Sequence, residues 1–238
     1  MSESLKRLQQ VIGYEFKNPE LLREAMTHKS YAAEWNVKYD NQRLEFFGDA
    51  VVELVLTKYL YNRYPELQEG DLTKIRSAVV NQDSLAKFAR SIELGKYMQF
   101  GQGEIDSHGS ERESTISDAF EALAAAVYLD GGYDEAEKFI LAVFTKEIPD
   151  PRDMLATLNP KGILQEYAQA QYGKTPTYQI LRISGPQHEP CFEVAVLLGG
   201  EQLGTGKAQN RKTAEQAAAV EALKNLKEHE KKLPPEKE

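Results

Sequence analysis

The chain has 238 residues, 41% hydrophobic and 28% charged, with one cysteine and a formal net charge of −8. That length suits one large domain or two smaller ones, and a single cysteine, Cys191, excludes an internal disulfide framework or a cysteine-based zinc site. No apolar run approaches the roughly 20 residues of a membrane span, and the first fifteen residues carry Lys6 and Arg7 without an apolar h-region, so the sequence reads as a soluble, cytoplasmic protein with no membrane partner.

In chain order, apolar residues recur at helical spacing over 5–12, 19–26, 44–61, 71–80 and 84–92, which predicts an all-α first part. Asn18-Pro19 offers a cap and an N1 proline for the second of these, and Pro65 lies just beyond the long fourth-decade helix. The stretch GQGEIDSHGSERE (101–113) reads as an exposed loop. SDAFEALAAAVYLDGG (117–132) starts on a capping serine, runs apolar over 119–129 and stops on Gly131-Gly132, which predicts a helix. A further helix over 133–147 closes the first domain, 3–147, and IPDPRD places two prolines inside a linker at 148–157.

Beyond the linker the period changes. Residues 161–172 read as a helix, 177–184, 192–198 and 201–207 as strands, and 211–226 as an alanine-rich helix. That α-β-β-β-α order predicts a small α+β domain over 158–228, with both helices on one sheet face. The tail 229–238, HEKKLPPEKE, reads as disordered. Charge divides the chain in the same place: residues 1–156 hold 18 Lys+Arg against 27 Asp+Glu, while 157–238 hold 11 against 10. An acidic total argues against a phosphate-bearing partner, but the second part does not share that excess.

Within the first part, two predicted helices that are otherwise apolar each carry an acidic pair. Glu45 and Asp49 stand at i, i+4, and Asp118 and Glu121 at i, i+3, so each pair occupies one helix face. Glu53 extends the first stripe toward a position that can simply face solvent. If the two helices pack together, four carboxylates converge where burial disfavours their charged forms unless a cation compensates. Oxygen-only donors point to Mg²⁺, with Mn²⁺ as a substitute. Such ions suit phosphodiester hydrolysis: a pair roughly 3.5–4 Å apart can activate water on one side of phosphorus and stabilise the leaving oxygen on the other.

These residues resemble the ribonuclease III family. NQRLEFFGDA (41–50), THKSY (27–31), EGDLTKIRSAVV (69–80) and SDAFEALAAAVYLDGG are collinear with the motifs of its nuclease domain. PKGILQEY (160–167), GPQHEPCF (185–192) and GTGKAQNRKTAEQAAA (204–219) resemble, in order, a double-stranded RNA-binding domain. The resemblance implies an all-α endonuclease domain joined by a short linker to that module. It places the catalytic and metal-binding carboxylates at Glu45, Asp49, Asp118 and Glu121, and a further acid at the cleft rim at Glu69. It also implies a homodimer built on the signature helix, with Phe46 docking into the partner subunit, against the alternative of an ordinary intrasubunit core position. One departure is Gln42, which stands where the family commonly has Glu.

In the second part the resemblance assigns minor-groove contacts to Gln165, Glu166 and His188. Asn210 is the predicted cap of the last helix, where Arg211 and Lys212 occupy a first turn whose dipole disfavours cations unless an anion is bound; Lys207 lies just before. A-form RNA, recognised through its shape, sugars and phosphates, is the partner that fits. The implied activity is hydrolysis of double-stranded RNA to 5′-phosphate and 3′-hydroxyl ends with a short 3′ overhang, in processing of ribosomal RNA precursors and of structured messenger or transfer RNA precursors. A non-catalytic dimeric RNA-binding protein is the alternative, and His28 carries no derivable catalytic role.

Overall fold

The computed structural model describes residues 2–186 and 188–230 and divides into two compact units, Met1–Pro151 and Arg152–Glu238. Gln187 of the GPQH stretch and residues 231–238 of the tail lie outside the described residues. The first unit is helical: α1 (Glu3–Ile12), α2 (Pro19–Ala25), α3 (Lys29–Trp35), α4 (Gln42–Arg63), α5 (Glu69–Val79), α6 (Gln82–Ser91), α7 (Gln102–Asp106), α8 (Glu113–Gly131) and α9 (Tyr133–Glu147), with 3-10 turns at Leu94–Lys96 and Gly109–Glu111. Among the described residues, no helix is long and apolar enough to cross a membrane.

Local chemistry sets several of these boundaries. Asn18 Oδ1 accepts from Glu20 N at 3.1 Å beside Pro19 at the helix start, and Asn81 Oδ1 accepts from Ser84 N at 2.9 Å. Helix α4 ends at Arg63, two residues before Pro65. Three features of this unit depart from the sequence expectation. Helix α3 has no apolar stripe to announce it; the His28 ring caps it, with Ser30 N donating to Nδ1 at 3.3 Å. The expected loop at 101–113 contains α7 and a 3-10 turn, because Gln102 N donates to Glu34 Oε2 at 2.6 Å, Gly101 N donates to Ser30 Oγ at 3.0 Å, and Arg112 pairs with Glu104 at 2.8 Å. Helix α8 begins at Glu113 rather than after Ser117. Ser117 lies inside it and turns its hydroxyl back to Ser114 O at 2.9 Å, so it is not a cap.

Helix α8 runs through the core. From Ala119 to Val127 every residue except Glu121 is fully buried. Its Phe120 and the neighbouring Phe88, Phe139 and Phe144 form a chain of aromatic contacts with centroids 5.4–6.0 Å apart. At its last turn the Asp130 carboxylate accepts from Tyr14 Oη at 2.7 Å, Lys17 N at 2.7 Å and Asn18 N at 2.8 Å, fastening the turn between α1 and α2 to the end of α8.

The stretch expected as a linker carries helical pieces, a 3-10 turn at Pro151–Met154 and α10 (Leu155–Leu158). The second unit continues with α11 (Pro160–Tyr172), β1 (Thr177–Ser184), β2 (Cys191–Leu198), β3 (Glu201–Ala208) and α12 (Arg211–Glu230). The strands form an antiparallel sheet in the order β1-β2-β3, with Ile180, Val194 and Gly206 in register across it. Leu164 of α11, Val196 of β2 and Ala218, Ala219, Ala222 and Leu223 of α12 share one buried cluster, so both helices cover the same sheet face. Helix α12 extends four residues beyond the expected end at 226, so the predicted tail is helical at 229–230. Its alanines lie almost against the backbone of β3: a Cβ at Gly204 would meet Ala218 O and Ala222 N at 2.7 Å, and one at Gly206 would collide with Ala214 O and Ala218 N.

Candidate active site and nucleic-acid interface

Helices α4 and α8 cross with their backbones in touch. A Cβ on Gly48 would fall inside the carbonyl group of Glu121 and 3.0 Å from its Cα, so only glycine permits this approach. The crossing brings the two acidic pairs together. Glu45 sits one turn before Gly48, Glu121 at the contact, and Asp118 one turn before Glu121. Carboxylate oxygens of Glu45, Asp118 and Glu121 all lie within 4.8 Å of one another, and all three side chains are half-buried. Asp49 is exposed and does not join that set of three, although its charge acts on Glu121.

Electrostatics show what the cluster lacks. Burial pushes the Glu121 carboxyl up to about 8, reinforced by the charges of Asp49, Asp118 and Glu45. Burial also raises Glu45, with Asp118 adding to the effect and Lys29 opposing it. Asp118 is raised by burial against a hydrogen bond from Ser117 and the positive potential of Lys29 and His28. Three acids crowded in a half-dry site resist ionising together, and a cation relieves all of them at once. Their donors are oxygens only, without His or Cys, which is the donor set of a hard divalent ion. The cluster can therefore hold a metal.

The remaining predicted residues of this unit lie elsewhere. Glu69 is the first residue of α5, accepts from Thr73 Oγ1 at 3.0 Å and lines a cleft with Tyr61 and Arg76; it is not one of the three converging carboxylates. Glu53 pairs with Arg76 at 3.4 Å. Phe46 is 83% exposed, so the intrasubunit-core alternative fails for it; Phe47 instead makes an edge contact with Tyr128 at 5.4 Å. Gln42 is exposed at the start of α4. Along that helix Phe46, Ala50, Leu54 and Tyr61 form an exposed, largely apolar face opposite the buried Val51, Val52, Val55 and Leu56. His28 has a structural role, with Nδ1 2.8 Å from Ser30 Oγ. Sequence reasoning passed over Lys29, whose potential reaches two of the three acids; its only signal was its place inside THKSY.

In the second unit Gln165 and Glu166 are exposed on α11, and His188 is exposed in the turn between β1 and β2. Asn210 caps α12 as expected, its Oδ1 accepting from Thr213 N at 2.8 Å. Arg211 and Lys212 are exposed in the first turn. Lys207 is paired with Glu193 at 3.1 Å. Sequence reasoning did not single out Glu215, a buried carboxylate that pairs with Arg211 at 2.8 Å and with Lys161 at 2.6 Å.

Comparison with known proteins accords with both halves of this description. Residues 18–148 match the family described as Ribonuclease-III-like, and residues 160–226 match the double-stranded RNA binding motif. A ribonuclease 3 of Symbiobacterium thermophilum is 47% identical over 214 residues, covering 90% of this chain and 91% of its own. Another, from Nitratiruptor sp., is 42% identical over 225 residues, covering 94% and 98%. Among solved structures, the nuclease domain of ribonuclease III from Campylobacter jejuni aligns with a TM-score of 0.58 at 40% identity, covering 61% of this chain and 99% of that one; the structure is described as showing flexibility in a region involved in dimer formation.

Proposed function

The chain belongs to the ribonuclease III family, and from that membership we propose that it is a metal-dependent endoribonuclease that cuts both strands of double-stranded RNA. The observation that carries the metal dependence is the approach of Glu45, Asp118 and Glu121 to within 4.8 Å at the Gly48 crossing. Mg²⁺, with Mn²⁺ as substitute, fits their all-oxygen donor set. When bound, the ion supplies Lewis acidity to the scissile phosphate and a lowered pKa to water. Glu45, Asp118 and Glu121 would hold it as carboxylates. Asp49, exposed beside Glu121, orients the attacking water and accepts its proton. Water oxygen bonds to phosphorus, the P–O3′ bond breaks and the leaving O3′ takes a proton from solvent while Asp49 returns the one it accepted, giving 5′-phosphate and 3′-hydroxyl ends. Glu69 has an accessory place at the rim of the cleft.

The exposed face of α4 supports a homodimer in which Phe46 and Gln42 lie at the interface. Two sites related by a twofold axis then cut opposite strands of one duplex and leave a short 3′ overhang. In the second unit Gln165, Glu166 and His188 read the minor groove, while Lys207, Asn210, Arg211 and Lys212 meet phosphate around the start of α12. Precursors of ribosomal, messenger and transfer RNA in the cytoplasm are the substrates that fit. The test is an end-labelled RNA duplex incubated with the protein and Mg²⁺, Ca²⁺ or EDTA. Discrete products bearing 5′-phosphates, formed with Mg²⁺ and not with EDTA, are expected. A duplex retarded but uncut under every condition would replace the nuclease with a binding platform.

A further inference from the structure

The start of α12 contains a residue whose charge has the wrong sign for its neighbourhood. Glu215 lies one turn inside a helix whose N-terminus, on the reading above, faces phosphate, and its side chain is only 12% exposed. A carboxylate there repels an approaching phosphate, and burying it is costly unless it is paired. Both of its oxygens are taken. Lys161 Nζ donates to Oε2 at 2.6 Å and Arg211 Nε donates to Oε1 at 2.8 Å. Burial works to raise the carboxyl, but the bonds from Lys161 and Arg211 outweigh it and hold Glu215 below the usual range. Lys161 is fixed from a second side, its ammonium 4.4 Å from the centre of the Tyr178 ring.

Which atoms are used matters. Arg211 spends its Nε–H on Glu215, and among the described residues nothing else hydrogen-bonds its guanidinium, although that side chain is 61% exposed. Its Nη fork, the part matched to a phosphate, stays available. The Asn210 cap takes the N–H of Thr213, which leaves the Arg211 and Lys212 N–H groups at the same end of the helix.

We propose that Glu215 is a positioning residue for RNA binding: it fixes Arg211 through Nε and Lys161 through Nζ, so that the Arg211 fork and the Lys161 ammonium meet the duplex backbone already ordered. This rests on the reading that the second unit binds double-stranded RNA. Counting charges alone predicts the opposite effect of Glu215, since removing an acid beside phosphate should tighten binding. Positioning predicts weakening, because two long side chains must then be ordered on binding.

The experiment is fluorescence anisotropy of a labelled RNA duplex with the full chain in EDTA, alongside thermal melts. Glu215→Gln is expected to weaken binding by about tenfold, the scale of ordering two such side chains. With Mg²⁺ it raises KM and leaves kcat unchanged. In an Arg211→Ala background the same substitution costs clearly less than in the wild type, because only its hold on Lys161 remains to be lost. Arg211→Lys keeps the charge but cannot serve Glu215 and phosphate together, so it also weakens binding; it decides the question if Glu215→Gln does not fold. Binding by Glu215→Gln as tight as wild type, an undiminished loss in the Arg211→Ala background, or wild-type affinity for Arg211→Lys would each overturn the inference. A wild-type chain that ignored the duplex would overturn the RNA-binding reading itself, and the inference with it.

Discussion

Gly48→Ala sets two physical effects against each other at the candidate site. Replacing glycine by alanine inside a helix ordinarily adds about 1 kcal/mol through backbone entropy and helix propensity. Here the added methyl would fall on the Glu121 carbonyl, a backbone group that cannot swing aside. Restoring van der Waals separation requires α4 and α8 to part by on the order of 1 Å, and overpacking of that kind costs typically about 1–3 kcal/mol. Because the obstruction is backbone, the upper part of the range applies, for a net loss of about 2 kcal/mol. In a unit of this size that lowers Tm by roughly 4–8 °C. The same parting pulls Glu45 and Asp49 away from Asp118 and Glu121, and a displacement of about 1 Å in a catalytic arrangement costs on the order of 100-fold in rate. Differential scanning calorimetry and single-turnover cleavage with Mg²⁺ measure both losses. Gly70→Ala in α5 is the control: nothing lies within 4 Å of its Cβ, so cleavage stays at the wild-type rate. If Gly48→Ala kept its Tm and cut RNA normally, the backbone contact between α4 and α8 would be refuted.

Glu121→Gln should abolish Mg²⁺-dependent cleavage, by at least about 1,000-fold if the carboxylate holds the metal, while duplex binding in EDTA stays within about twofold. Without metal, folded Glu121 keeps a proton between the ordinary glutamate value of 4.5 and about 8 that the unfolded chain has lost. Stability of the EDTA-treated protein therefore falls as pH rises through that window; in melts from pH 5 to 8 the slope should flatten in Glu121→Gln, and Mg²⁺ should restore stability at the alkaline end. Asp130→Ala removes three hydrogen bonds to a carboxylate, from Tyr14 Oη and the Lys17 and Asn18 N–H groups, for a loss of about 2 kcal/mol in urea unfolding at pH 7. Burial alone would raise Asp130, but the bonds from Tyr14, Asn18 and Lys17 leave its carboxyl below 3.8. Its contribution is therefore complete above that value, and the gap between wild type and Asp130→Ala closes only as pH drops below it. Phe46→Asp should weaken self-association by at least about tenfold, the value of one buried phenyl ring, as sedimentation velocity would record; an unchanged association constant would remove α4 from the interface.

Long elements were legible because they repeat. The spacing of Leu44, Val51, Val55 and Leu60 announces α4, and the alanines of α8 and α12 announce buried helices. Short elements were not, because distant groups hold them. Nothing near Gln102 in sequence reveals that Glu34 will accept its N–H and turn a glycine-rich loop into α7. The start of α8 was misplaced for a related reason: Ser117 has the right chemistry for a cap, and only the chain before it shows that the helix is already under way. At the site, the spacings of Glu45 with Asp49 and of Asp118 with Glu121 marked four acids. Which three would meet depends on the crossing at Gly48, a property of two helices together. Arg211 was legible as a cation at a helix start, but its engagement by Glu215 was not, since that bond reflects side-chain geometry and burial.

The layer between β3 and α12 has a consequence for which substitutions the second unit can absorb. Glycine faces alanine there, with Gly204 and Gly206 set against the backbone of Ala214, Ala218 and Ala222. An ordinary core suffers most from truncation, because deleted volume leaves a cavity. This seam holds almost no side-chain volume to delete, so its sensitivity is inverted: each added methylene meets main chain. A deep mutational scan should therefore show these five positions rejecting every larger residue while Leu164 and Val196, in the same buried cluster, accept aliphatic exchange. Variation that reshapes this unit's affinity for RNA is thereby directed away from the sheet–helix seam and onto the outward side chains of α11, the β1–β2 turn and the first turn of α12.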